Sequence, residues 1–268
     1  MKGPKLAFIL TMGAAALFLC NACQPESLHP GLTPAPPDQL LFYGDGLTSS
    51  NLGLPAHLKL LAASADPPVT VEVQAHTSGT VRLKDHLEGV RFASIQDGNW
   101  DVVVLQEDHH WAASEEFFTA VRKFDAEIEA AGAETVLLMT WERDTVKKFL
   151  TIEEIAEDHR DIAQELDLKV APAGLAWQRS IEKRPDLDLY APDRHHPSAR
   201  GTYLTACVLY AVIFEKSPVG LEYQPAEMIA NVDSLAYLGE KWAMTDEEAA
   251  FLQQTAWDTV VENRTQNK

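Results

Sequence analysis

Cysteine, positive charge and long apolar runs are all scarce in this chain, and each scarcity excludes something. Only three of the 268 residues are cysteine. Cys20 and Cys23 sit near the amino terminus, and Cys207 lies alone in the apolar run Tyr203 to Phe214. No disulfide framework can hold the domain, and Cys207 reads as a buried, unreactive thiol. Lys and Arg number 22 against 40 Asp and Glu, a formal net charge of -18. So acidic a surface repels phosphate backbones and anionic lipid, which argues against nucleic acid and peripheral membrane partners and otherwise serves solubility. Internal repeats and interior low-complexity segments are absent from the sequence. With 46% hydrophobic and 8% aromatic residues, the chain has the means to bury one sizeable core.

The longest early apolar run, Leu6 to Leu19, follows Lys2 and Lys5. It is short for a bilayer span and right for the apolar region of a signal peptide. The run ends in Leu19-Cys20-Asn21-Ala22-Cys23, before Gln24-Pro25-Glu26-Ser27. A small residue before a cysteine, then polar residues, resembles a bacterial lipobox with Cys23 as the lipidated residue, although Cys20 stands where Leu is usual. The alternative is an ordinary cleaved signal peptide; both place the protein outside the cytoplasm, periplasmic or at the cell surface, with Cys23 the membrane anchor in the first case. Pro25, Pro30, Pro34, Pro36 and Pro37 make 24–39 a proline-rich tether. The expected division is a signal peptide over 1–23, the tether over 24–39 and a single domain over 40–268.

Within the domain, apolar runs alternate with helical periodicity. Leu40 to Tyr43 reads as a strand that breaks at Gly44-Asp45-Gly46, with the N-cap formers Thr48, Ser49, Ser50 and Asn51 beyond. Leu54 to Ala65 has helical spacing and stops at Asp66-Pro67-Pro68. Val69 to Ala75 alternates as a second strand, and a helix is expected from about Arg82 to Ile95. Asp101 to Gln106 and Thr135 to Thr140 are continuous apolar runs, the pattern of strands buried on both faces. Phe117 to Ala131, Ile152 to Leu166, Leu175 to Lys183 and Ala199 to Glu215 read as helices, and Lys169 to Pro172 as a fifth strand. A last helix over Asp246 to Glu262 is expected to cover the sheet. Five strands alternating with helices predict an α/β three-layer sandwich with a five-stranded parallel sheet in the flavodoxin-like order 2-1-3-4-5.

Two stretches carry chemistry. The turn Gly44-Asp45-Gly46 offers backbone N–H groups at the carboxyl end of a strand, where open α/β sheets place their sites. Asp193-Arg194-His195-His196-Pro197-Ser198 spaces a carboxylate three residues before an imidazole, close enough for Asp193 to orient His196 and leave its far nitrogen as a general base. A polar surface loop satisfies that spacing equally well.

These stretches, with Gly79 after the second strand and Gln106 ending the third, form an ordered set that resembles the SGNH/GDSL hydrolase family over about Leu40 to Gly220. Asp101 to Glu107, Asp193 to Ser198, Gly201-Thr202-Tyr203-Leu204, Met139-Thr140-Trp141 and Leu175-Ala176-Trp177 look like its exported bacterial branch. The resemblance implies hydrolysis of acyl or carbohydrate esters on a flavodoxin-like sheet, with no metal or organic cofactor. His196 matches the base and Asp193 its partner. The oxyanion donors match the backbone N–H groups of Gly46 and Gly79 and the side-chain amide of Gln106. Gly46 itself stands where the family has its nucleophilic Ser, so covalent acyl transfer through this position is impossible. Thr48 and Ser49, further along a new helix, are expected to point elsewhere.

The reading taken is an ester-hydrolase framework with lost or much reduced catalysis. One alternative is direct hydrolysis by water activated at His196 and seated in the volume vacated at Gly46, or a serine enzyme of which Gly46 is a variant. Another is a divalent-metal protein, with ligands drawn from Glu107, Asp108, His109, His110, Asp193, His195 and His196; a polar loop rim is preferred to it, and no metal is assigned. Trp111, Trp141 and Trp177 are candidates for an aromatic cleft wall.

Overall fold

Buried apolar runs place three strands at the middle of the sheet in the computed structural model, which describes residues 1, 35–144, 150–230 and 239–266. Met1–Ala35 and Pro36–Lys268 are separate units, and only the second is described further. The signal peptide, Cys23 and most of the proline-rich tether lie outside the described residues.

Five parallel strands, β1 (Gln39–Gly44), β2 (Glu72–Thr77), β3 (Val102–Gln106), β4 (Glu134–Leu138) and β5 (Lys169–Ala171), form one sheet in the order β2-β1-β3-β4-β5. This is the expected α/β three-layer architecture. Register explains the layers: Phe42 pairs with Val104 and Val104 with Val136, while Tyr43 pairs with Leu105 and Leu105 with Leu137. Because side chains alternate along a strand, the first row faces one helical layer and the second row the other.

The Phe42 row packs against α2 (Leu54–Ala63), α6 (Ala173–Lys183) and α7 (Ala199–Ile213). The Tyr43 row packs against α3 (Val90–Asp97), α4 (Glu115–Ala130) and α5 (Ile152–Leu166). A four-residue helix, α1 (Gly46–Ser49), follows β1 directly, and α8 (Gly239–Trp242) precedes the last helix, α9 (Asp246–Gln266). Cys207 is fully buried on α7, and burial pushes its thiol pKa up.

Three elements differ from expectation. The second strand begins at Glu72 rather than Val69, because its ladder partner β1 begins only at Gln39, which pairs with Glu72. Val69 and Val71 are buried instead as a packed connection. The expected helix from Arg82 to Ile95 is broken into a 3-10 turn, Leu83–His86, and α3, with Gly89 between them at φ 75°. The turn is tethered from afar, since Leu83 N–H donates to Glu107 Oε2 at 3.0 Å and His86 Nε2 lies 3.0 Å from the carbonyl oxygen of Gly44. Finally, α9 packs chiefly on α7 and α6, so it thickens one helical layer rather than covering the sheet.

Candidate active site

β1 delivers Gly44, Asp45 and Gly46 beside the end of β3, where the strand order reverses. In open α/β sheets the crevice outside the strands' carboxyl ends at this switch point is where ligands bind. Gly44 has no room for a side chain, because a Cβ would stand 2.6 Å from Gln106 Oε1 and 2.7 Å from Thr48 Oγ1. Asp45 caps α1, its Oδ1 accepting from Leu47 N–H at 2.8 Å. The Asp45 N–H donates to Gln106 Oε1 at 2.9 Å, and Thr48 Oγ1 donates to the same oxygen at 2.8 Å. A backbone N–H can only donate, so it fixes the Gln106 amide with its oxygen toward the turn. Gln106 Nε2 is left buried with no hydrogen-bond partner. Burial raises the Asp45 carboxyl to about 6, the Leu47 N–H bond only partly opposing it.

At Gly46 the backbone N–H donates to the carbonyl of Gly79 at 2.7 Å. As placed, this N–H is therefore spent within the protein. Gly79 takes φ +46°, a conformation glycine adopts without strain. A Cβ built on Gly46 would stand 2.9 Å from His196 Nε2 and 3.0 Å from Gly79 O. Imidazole and carbonyl thus stand close around the point where a side chain at residue 46 would begin. Thr48 is buried with its hydroxyl on Gln106, and Ser49 Oγ lies 3.5 Å from the Gly46 carbonyl oxygen, so neither hydroxyl replaces the absent one.

His196 arrives from the other side, on the loop between α6 and α7. The loop is closed on itself by a bridge between Tyr190 and Pro197 and by Ala191 N–H donating to the His196 carbonyl at 2.8 Å. Arg194, at φ 57°, pairs with Asp144 and Asp188 and lies over the Tyr190 ring. Asp193 Oδ2 lies 2.6 Å from His196 Nδ1, while its Oδ1 accepts the N–H groups of His195 and His196, each at 3.0 Å. One carboxylate thereby sets both the backbone and the ring, with Nε2 turned to Gly46. Burial would raise the Asp193 carboxyl, but the hydrogen bonds from His196 and the two N–H groups outweigh it and hold it at about 2.

Sequence reasoning missed the strut behind this loop. Asn51 Nδ2 donates to Pro197 O at 2.9 Å and to Thr202 Oγ1 at 2.8 Å, while its carbonyl lies 2.7 Å from His57 Nε2. His57 Nδ1 is in turn 2.8 Å from Tyr223 Oη, and burial lowers the His57 pKa to about 4, which keeps the strut neutral. Apart from Asn51 and His57, six positions apart, these contacts join residues more than a hundred positions apart, and no local motif announces them. Of the metal candidates, Asp108, His109 and His195 come together, whereas Glu107 turns away to accept N–H groups from Leu83 and Asp108. Trp141 and Trp177 stack on one another at 3.8 Å and 3° and are only 3% and 1% exposed, and both form part of the wall of a cavity that Tyr190 and Arg194 also line. Trp111, 44% exposed under the Arg82 guanidinium, is the tryptophan that reaches the rim.

No family profile matches the chain. No curated protein matches it either. Among solved structures it is similar to a protein from Slackia heliotrinireducens assigned as an SGNH hydrolase, with 26% identity and a TM-score of 0.56 over 65% of this chain and 98% of that one. It shares its fold with a DUF4886 family protein from Bacteroides uniformis, at 14% identity and TM-score 0.65 over 84% of this chain and 95% of that one. It also shares its fold with the acetylxylan esterase Axe2 of Geobacillus stearothermophilus, at 17% identity and TM-score 0.55 over 66% and 94% of the two chains. Catalytic variants of Axe2 include replacements of an aspartate, a histidine and a serine by alanine.

The sheet order, the turn after β1 and the Asp193–His196 pair standing over it define a hydrolase-like framework. In fold and in the placement of these residues the chain is similar to SGNH hydrolases of known structure.

Proposed function

We propose that this protein is an exported ester-hydrolase framework that has lost its nucleophile, retains binding of a small-molecule or carbohydrate ester, and turns that ester over slowly or not at all. The observation that carries the reading is the 2.9 Å between His196 Nε2 and the point where a side chain at residue 46 would begin. An Asp-oriented imidazole has its general-base nitrogen aimed at a residue with no hydroxyl to activate. Loss of a triad serine costs on the order of 10⁶ in kcat, leaving about 10³ to 10⁴ over water from binding and the oxyanion donors. Axe2 acts on acetylated xylan and has a serine, a histidine and an aspartate described as catalytic. That likeness supports an acylated carbohydrate as the ligand class.

Direct attack by a His196-activated water is the second reading, and ester turnover by the unmutated protein that His196→Ala abolishes would favour it. Export, and anchoring through lipid on Cys23, rest on the amino-terminal sequence. The test of the central reading is Gly46→Ser assayed on an aryl acetate: a serine-reagent-sensitive esterase supports it, and a folded variant without any gain overturns it.

A further inference from the structure

Asp108 and His109 follow β3, while His195 comes from the loop before α7. The β3 end is held firmly, since Glu107 accepts the Asp108 N–H at 3.1 Å and the Leu83 N–H at 3.0 Å, and Thr140 Oγ1 donates to the Glu107 carbonyl at 3.2 Å. One donor atom from each of Asp108, His109 and His195 lies within 4.8 Å of the other two. Two contacts are tighter: His109 Nδ1 to Asp108 Oδ1 is 3.2 Å and His195 Nε2 to Asp108 Oδ2 is 3.3 Å. Ligand atoms at about 2.0 to 2.2 Å from a tetrahedral zinc stand roughly 3.3 to 3.5 Å apart, so side-chain adjustment alone can close the set.

His109 supplies an independent observation. Its side chain is 1% exposed; Nε2 has no partner, and the 3.2 Å approach of Nδ1 to Asp108 lacks hydrogen-bond geometry. Buried polar atoms are ordinarily satisfied, and a neutral imidazole carries one nitrogen lone pair suited to a metal. His110 Nδ1 lies 2.5 Å from Asp108 Oδ1, a contact from outside the set that orients the carboxylate. Asp108 and His195 side chains remain 15% and 16% exposed, which leaves an entry path from their side.

We propose that Asp108, His109 and His195 form a binding site for a divalent transition-metal ion of zinc type. Two imidazoles and one carboxylate favour such an ion over the harder, oxygen-seeking magnesium or calcium. Three protein ligands leave a coordination position open to water or ligand. The Asp193–His196 pair contributes none of the three, although the His195 and His196 rings are 4.8 Å apart, so binding depends neither on a nucleophile at residue 46 nor on the esterase reading.

The test is titration of untagged, chelator-stripped full-length protein with zinc sulfate by calorimetry, followed by cobalt(II) substitution read in the visible spectrum. One zinc per chain is expected, with the d–d bands of a four- or five-coordinate nitrogen and oxygen site for cobalt. His109→Gln and His195→Gln should each weaken binding by at least about tenfold, while His76→Gln, on the edge strand, should leave it unchanged. His195 lies on a partly exposed loop, so His195→Gln remains informative if His109→Gln fails to fold. The proposal is overturned if the folded parent takes up no zinc at micromolar concentrations. Full-strength binding in folded His109→Gln or folded His195→Gln overturns it equally. Neither result depends on whether Gly46→Ser gains esterase activity.

Discussion

Replacing Gly46 by serine is the most direct perturbation of this site, and the surroundings allow its effect to be worked out. The new Cβ would meet His196 Nε2 at 2.9 Å, a few tenths of an ångström too close. His196 is 39% exposed at its side chain and can draw back by that amount, which would bring its Nε2 to hydrogen-bond range of the serine hydroxyl. The Gly79 carbonyl, at 3.0 Å, belongs to a glycine with no atom within 4 Å of its own would-be Cβ. Residue 46 is helical, where serine is no worse than glycine, so the net steric cost should stay within about 1 to 2 kcal/mol. A complete triad would recover on the order of 10⁶ in kcat. Full recovery is not expected, because Gly46 N–H is spent on Gly79 O. With one oxyanion donor out of place, a penalty of about 10² to 10³ applies, leaving a gain of about 10³ to 10⁴ over the parent. The assay is p-nitrophenyl acetate hydrolysis, with Gly46→Ala as the control for bulk and His196→Ala in the serine background as the control for the base. A Gly46→Ser protein that melts within a few degrees of the parent yet shows neither a rate above Gly46→Ala nor labelling by a fluorophosphonate would refute the reasoning.

Three other outcomes are expected. Gly44→Ala should destabilise by about 1 to 3 kcal/mol in denaturant melts, since its methyl would press on Gln106 Oε1 and Thr48 Oγ1, both buried; an unchanged midpoint would show that this amide is not fixed as described. Glu107 is raised by burial to about 8 from 4.5, so between those values the unfolded chain releases a proton that the folded chain keeps. Stability should therefore fall as pH rises from 5 to 8 and level off above, and Glu107→Gln should flatten that fall even if it loses about 1 kcal/mol from one surrendered acceptor; equal pH slopes in thermal melts of parent and variant would contradict this. Asp45, raised to about 6, keeps some slope at the acid end of that window in both proteins. Cys23→Ser should abolish fatty-acid labelling of the full chain and release it from the membrane fraction; unchanged fractionation would remove the anchor reading.

What could be read from sequence follows the range of the forces involved. β1, β3 and β4 are legible because a strand buried on both faces must be apolar at successive positions, and Leu40 to Tyr43, Val102 to Leu105 and Val136 to Leu138 are. β2 lies at the edge with much of it exposed, so its alternation fixes no boundary, and the ladder partner decides. The break near Gly89 is hidden for a related reason: the 3-10 turn before it draws on Glu107, more than twenty positions away. Asp193 and His196 are three residues apart, and a contact that one turn can close is visible in the spacing. The Asn51 strut has no such spacing, because its two partners lie about 150 positions along the chain.

The metal candidates divide by the same physics. Glu107 and Asp108 are adjacent in sequence, yet strand geometry sends their side chains to different places: Glu107 inward onto backbone N–H groups, Asp108 outward toward His195. No argument from neighbouring residues could have separated them, and it is this separation that leaves Asp108, His109 and His195 as a set. At Gly46, sequence shows the missing hydroxyl but not what surrounds it. His196 Nε2 and Gly79 O both stand close to where a Cβ would lie, and the Gly46 N–H donates to that carbonyl. A serine at this position must therefore do two things, push the imidazole back and free the N–H. Gly46→Ala brings the same Cβ against both groups without supplying a nucleophile, so comparing the two variants separates the restored geometry from the restored chemistry.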